Sequence, residues 1–93
     1  MPEEIYEFGD ATYDRLDAAG LSPVQVLQVL HGGQRIRRSI AAVLQIAGID
    51  HHGRWLAVTL IETAIDDRYT VIGARELDPA EVEAVHRMRG EQP

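Results

Sequence analysis

The apolar positions of this chain keep one period up to about residue 31 and another beyond it. From Asp10 onward, Ala11, Leu16 and Ala19 recur at helical spacing, and Gly20 stands where a helix end favours a residue tolerant of positive φ. Ser22-Pro23-Val24-Gln25 then reads as an N-cap serine, a proline in the first turn and a glutamine able to close a capping box. The helix it starts is apolar over much of its surface through Val24, Val26, Leu27, Val29 and Leu30, and His31-Gly32-Gly33 ends it.

After the glycine pair, β-branched and aliphatic residues gather in short runs between turn signals, which predicts strands over 34–39, 41–49, 54–63 and 69–76. Asp50-His51-His52-Gly53 and Ile65-Asp66-Asp67 supply tight turns; neither proline nor glycine separates the first two runs, so a merged strand or a loop stays open there. Asp78-Pro79-Ala80-Glu81 repeats the helix-start grammar and predicts a last helix to about Arg89, with Val82, Val85 and Met88 inward and Glu83 paired with Arg87. The expected fold class is α+β: two N-terminal helices, an antiparallel sheet of three to four strands in a meander, and a C-terminal helix. Residues 1–93 form a single domain with frayed ends at about 1–8 and 90–93.

Ninety-three residues, 45% of them hydrophobic, fit one small domain whose modest core leaves self-association as a homodimer open. No cysteine is present, so disulfides and thiolate metal sites are excluded, and no metal or cofactor is expected. The start MPEEIYEF lacks the basic and apolar regions of a secretory signal, and no apolar run approaches the ~20 residues of a membrane span. The expected location is the cytoplasm, with no membrane partner.

A formal charge of −6 argues against coating nucleic acid by bulk electrostatics, but the charge is unevenly spread. Residues 1–30 balance at −5 and 64–93 at −3, whereas 31–63 reach +2 through Arg35, Arg37, Arg38 and Arg54 against Asp50 and Glu62. All nine basic residues are arginine.

Strand alternation then sorts side chains by face. Leu56, Val58 and Leu60 oppose Trp55, Ala57, Thr59 and Ile61; Leu44 and Ile46 oppose Val43, Gln45 and Ala47; Ile72 and Ala74 oppose Tyr69, Val71, Gly73 and Arg75. Gln45, Trp55, Thr59, Tyr69 and Arg75 are thereby expected on one polar sheet face suited to a ligand or partner, unless that face is simply solvated or covered by a terminal helix.

The stretch Arg68-Tyr69-Thr70-Val71-Ile72-Gly73-Ala74-Arg75-Glu76-Leu77-Asp78-Pro79-Ala80-Glu81 resembles the closing strand and helix of the BrnT-like toxins. Gly20-Leu21-Ser22 before an apolar helix and Gly53-Arg54-Trp55-Leu56-Ala57-Val58 are similar to two further stretches of that family. The resemblance implies a fold akin to the RelE-type ribonucleases, a toxin of a type II toxin-antitoxin pair, and a cognate DNA-binding antitoxin as partner. It also implies an active-site role for the closing-strand arginine, Arg75. The chain departs from the family in its acidic charge and in having no lysine or histidine along Asp17-Ala18-Ala19-Gly20.

Cleaving RNA without metal needs a base for the 2′-hydroxyl, an acid for the leaving oxygen and a cation on the phosphate. Arg75 is the candidate cation, and Arg35, Arg37, Arg38 and Arg54 are candidate backbone contacts, although a basic run on a strand edge also discourages edge pairing. His31 is a candidate acid or base, or a partner of the helix dipole. Trp55 is a candidate base-stacking ring or a core tryptophan, and Gln45, Thr59 and Tyr69 complete the candidate RNA surface. The rival to a metal-independent endoribonuclease is a non-catalytic protein-binding module, a degenerate toxin or regulator using the polar sheet face.

Overall fold

The computed structural model of the chain describes residues 4–33, 35–88 and 90; the expected frayed positions 1–3 and 91–93 lie outside these. The described chain runs β1 (Ile5–Phe8), α1 (Asp10–Ala18), α2 (Pro23–Leu30), β2 (Arg35–Ile40), β3 (Val43–Ile49), β4 (Trp55–Glu62), β5 (Arg68–Glu76) and α3 (Pro79–Met88). Local chemistry sets the helix ends. Gly20, at φ +73°, closes α1, and the Leu21 N–H reaches the Leu16 carbonyl at 2.9 Å while both leucines enter the core. The Ser22 hydroxyl accepts from the Gln25 N–H and the Gln25 side chain accepts from the Ser22 N–H, the reciprocal cap read from the sequence. Asp78 and Glu81 exchange the same pair of bonds at the start of α3.

The strands form one sheet in the order β1-β5-β4-β3-β2, with β1 parallel to β5 and every other pair antiparallel. This overturns the expected three-to-four-stranded antiparallel meander led by two helices: the sheet is mixed, it has five strands, and a strand comes first. The segment Ile5–Phe8, expected to fray, is too short to show a period. It is held by backbone pairing with Arg68–Val71, some sixty residues away, which no local signal encodes. The uncertain boundary between the first two expected strands is a two-residue turn in which Ala41 takes φ 54°.

Helices α1 and α2 cover one face of the sheet. Leu16, Leu21, Val26, Val29 and Leu30 pack there on Leu44, Ile46, Leu56, Val58, Leu60, Tyr69 and Val71. Beyond Val71 the edge of β5 is no longer paired with β1, and α1 closes it: Thr12 donates to the Val71 carbonyl at 2.6 Å and Arg15 to that of Ile72 at 3.3 Å. The other face carries α3, through the buried Val85 and the edge-on contact of His86 with Trp55.

Laid flat, five strands would hold the two edges about 19 Å apart, at roughly 4.8 Å per step, farther than a glutamate and an arginine together span. Glu4, just ahead of β1, nonetheless pairs with Arg35 and Arg37 of β2 at 3.7 and 3.5 Å. The sheet therefore curls toward its helix side until the edge strands face one another. No helix among the described residues is long and apolar enough to cross a membrane.

Candidate functional site

A bulge in β5 decides which side chains share the outer face, the one turned away from α1 and α2. Thr59 pairs with Gly73 but Leu60 pairs with Val71, so Ile72 is an extra residue on β5. Alternation reverses across it: Tyr69 and Val71 face the core with Leu60, while Gly73 and Arg75 face outward with Thr59 and Ala57. The expected grouping of Tyr69 with Arg75 is thereby corrected, because strict two-residue alternation cannot survive an inserted residue.

The outer face presents Arg38, Gln45, Thr59 and Arg75 from four adjacent strands. Gln45 pairs with Arg38 on one side and with Thr59 on the other, and the Arg38 guanidinium donates to the Gln45 amide oxygen at 3.0 Å. Arg15 reaches this surface around the edge of β5, its stem lying against Gly73. Two adjoining cavities of about 350 and 270 Å³ share Gln45, Ala57 and Arg75; the larger continues under α3 along Ile36, Ala47, Leu77, Val85 and Met88.

From β2 to β4 and along β5 beyond the bulge, no described residue of this face is acidic, although the chain carries −6; Glu7 of β1 lies at its far edge, paired with Arg68 at 3.2 Å. The acids that approach come from the start of α3. Arg75 meets Glu81 through both terminal nitrogens at 2.7 and 2.5 Å, while its side chain remains 59% exposed. That fork raises the Arg75 guanidinium above its ordinary value, and it holds the Glu81 carboxyl down at about 2.

The remaining sequence candidates lie elsewhere. Trp55 is buried beneath α3. Arg54 belongs to the β3–β4 turn, where its side chain and backbone N–H bond Asp50. The buried Asp50 carboxylate also accepts from the His52 N–H and from Gln25 of α2. Burial alone would push the Asp50 carboxyl up, but these donors and the Arg54 charge outweigh it and hold it below its ordinary value. His31, Arg35, Arg37 and Tyr69 converge on the helix side of the sheet, at the mouth between the edge strands.

Sequence reasoning thus passed over Arg15 and Glu4, whose roles depend on contacts with distant segments, and it read Glu81 only as a cap. Tyr6 went unread with the expected frayed end, although Ile5-Tyr6-Glu7-Phe8 is rich in strand formers. Scanned against protein-family models and compared with curated proteins, the chain matches none of either.

Proposed function

We propose that this chain acts as a metal-independent endoribonuclease of the BrnT-like toxin kind, holding the RNA backbone on the outer face of the sheet. The observation that carries the reading is the charge of that face: in a chain of −6, β2 to β5 offer Arg38 and Arg75 there, joined by Arg15, and the carboxylate of Glu7 on β1 stands apart, paired with Arg68. Arg75 meets in Glu81 a planar pair of oxygens, the geometry a phosphate would present. When phosphate takes that place, Glu81 is released beside it and its carboxylate is the group within reach to take the 2′-hydroxyl proton. The 2′-oxygen then attacks phosphorus, Arg75 and Arg38 stabilise the charge on the phosphoryl oxygens, and the leaving 5′-oxygen takes a proton from solvent. His31 faces the other side of the sheet and has no part in this step.

The rival reading, a non-catalytic module that holds a protein, draws on the apolar run of the same groove. Ile36, Ala47, Leu77, Val85 and Met88 line it, and Met88 is 63% exposed. An acidic segment with an apolar stripe, such as an antitoxin could supply, would satisfy both Arg38 and this wall.

The test is induced expression in a bacterial host, wild type beside Arg75→Ala, with growth followed and total RNA examined. Arrest with fragmented RNA that the substitution relieves supports the ribonuclease. Normal growth with intact RNA at confirmed soluble expression favours the binding module.

A further inference from the structure

The mouth between the edge strands gathers six ionisable groups. Glu4 and Tyr6 come from β1 and its approach, His31 from the end of α2, Arg35 and Arg37 from β2, and Tyr69 from β5. Arg37 donates to the Tyr69 hydroxyl at 3.0 Å, and the Tyr6 hydroxyl donates to Glu4 at 3.1 Å. The Tyr6 ring lies stacked on Tyr69 at 6.0 Å and meets His31 edge-on at 5.7 Å. Beside them opens a cavity of about 310 Å³ lined by Glu4, Tyr6, Leu30, His31, Gly32 and Arg35.

Two features mark this as a site waiting for an anion. The Glu4 carboxylate balances the two arginines from 3.7 and 3.5 Å, longer than the 2.7–2.9 Å (about) of a charge-assisted hydrogen bond. It therefore compensates their charge without engaging their donors closely. The space beside it is bounded by aromatic edges, and its volume matches the lower end of small-ligand sites, roughly 300 Å³. We propose that this mouth binds a mononucleotide, a phosphate monoester bearing an aromatic base. The phosphate sits between Arg35 and Arg37 in place of Glu4, where its oxygens can accept from the Arg35 nitrogen not bonded to the Leu30 carbonyl and the Arg37 nitrogen not bonded to Tyr69, and the base lies against Tyr6 and His31.

The site opens on the helix side of the sheet and does not rest on the ribonuclease reading, although Arg37 also borders the outer-face groove. Its test is titration of the full chain with AMP, with adenosine and inorganic phosphate in parallel, followed by backbone and side-chain NMR shifts. AMP is expected to perturb Tyr6, His31 and Tyr69, and adenosine and phosphate alone to bind about tenfold more weakly, since each offers only one of the two contacts. Glu4→Gln removes the competing carboxylate and should tighten AMP severalfold. Arg37→Ala should weaken it by about tenfold or more, with Arg37→Lys as the variant that keeps the charge if the truncation fails to fold. Absence of AMP binding in both wild type and Glu4→Gln overturns the proposal, as do shifts confined to Gln45 and Thr59. Phosphate binding as tightly as AMP would identify an anion site with no place for the base, and overturns it too.

Discussion

Both terminal nitrogens of Arg75, near the end of the closing strand, meet the carboxylate of Glu81 in the first turn of α3. The same Glu81 carboxylate accepts from the Asp78 N–H at 3.1 Å, so one side chain caps the helix and ties it to the sheet. Docking of α3 is thereby coupled to the pairing of the outer-face arginine, alongside Val85 and the contact of His86 with Trp55.

The Glu81 carboxyl is held at about 2, down from 4.5, chiefly by the bonds from Arg75. A group whose folded value is lowered stabilises the fold above its unfolded value and loses that contribution as pH falls through the window between the two. The contribution is complete above about 4.5 and fades toward 2. In low-salt thermal melts, the Tm gap between wild type and Glu81→Gln is widest near neutral pH and closes across that window. A gap independent of pH would show that the carboxylate charge does not fasten α3.

Asp50 should be among the most sensitive polar positions. Its carboxylate, fully buried, takes bonds from two backbone N–H groups, Gln25 and Arg54, and so joins the β3–β4 turn to the start of α2. Asp50→Ala leaves those donors without their acceptor and should cost about 2 to 4 kcal/mol. Urea unfolding measures it; a loss within a few tenths of a kcal/mol would mean that solvent replaces the carboxylate.

Ala41 spends its place in the β2–β3 turn at φ 54°, where a Cβ is unfavourable. Ala41→Gly should stabilise the domain by about 0.5 to 1 kcal/mol, net of the extra chain entropy that glycine loses on folding. A lower unfolding midpoint in the variant would argue that the turn relaxes away from this conformation in solution.

Tight binding of RNA by the outer face should show in its salt dependence. Each phosphate neutralised on a single strand contributes about −0.7 to the slope of log affinity against log salt. Engagement of Arg15, Arg38 and Arg75 together sets a slope near −2 on that scale, shallower by about 0.7 in Arg38→Ala. A slope unchanged by that substitution would remove Arg38 from the contact.

The sequence by itself determined what neighbours in the chain can settle. Ser22-Pro23-Val24-Gln25 and Asp78-Pro79-Ala80-Glu81 start helices because cap donors and acceptors lie three residues apart, and Leu56, Val58 and Leu60 reach the core because alternation is local. Among the candidate residues, Gln45, Thr59 and Arg75 were placed on a common face by the same rule, and the pairing of β2 with β3 added Arg38 beside Gln45. What only the tertiary structure decided was every relation between distant segments. The parallel docking of Ile5–Phe8 on β5 added the fifth strand. One extra residue at Ile72 moved Tyr69 away from Arg75, and curling of the sheet brought Glu4 to Arg35 and Arg37. Pairing partner, bulge and curvature are fixed by the free energy of the whole packed sheet rather than by any run of residues, so they have no local signature to read.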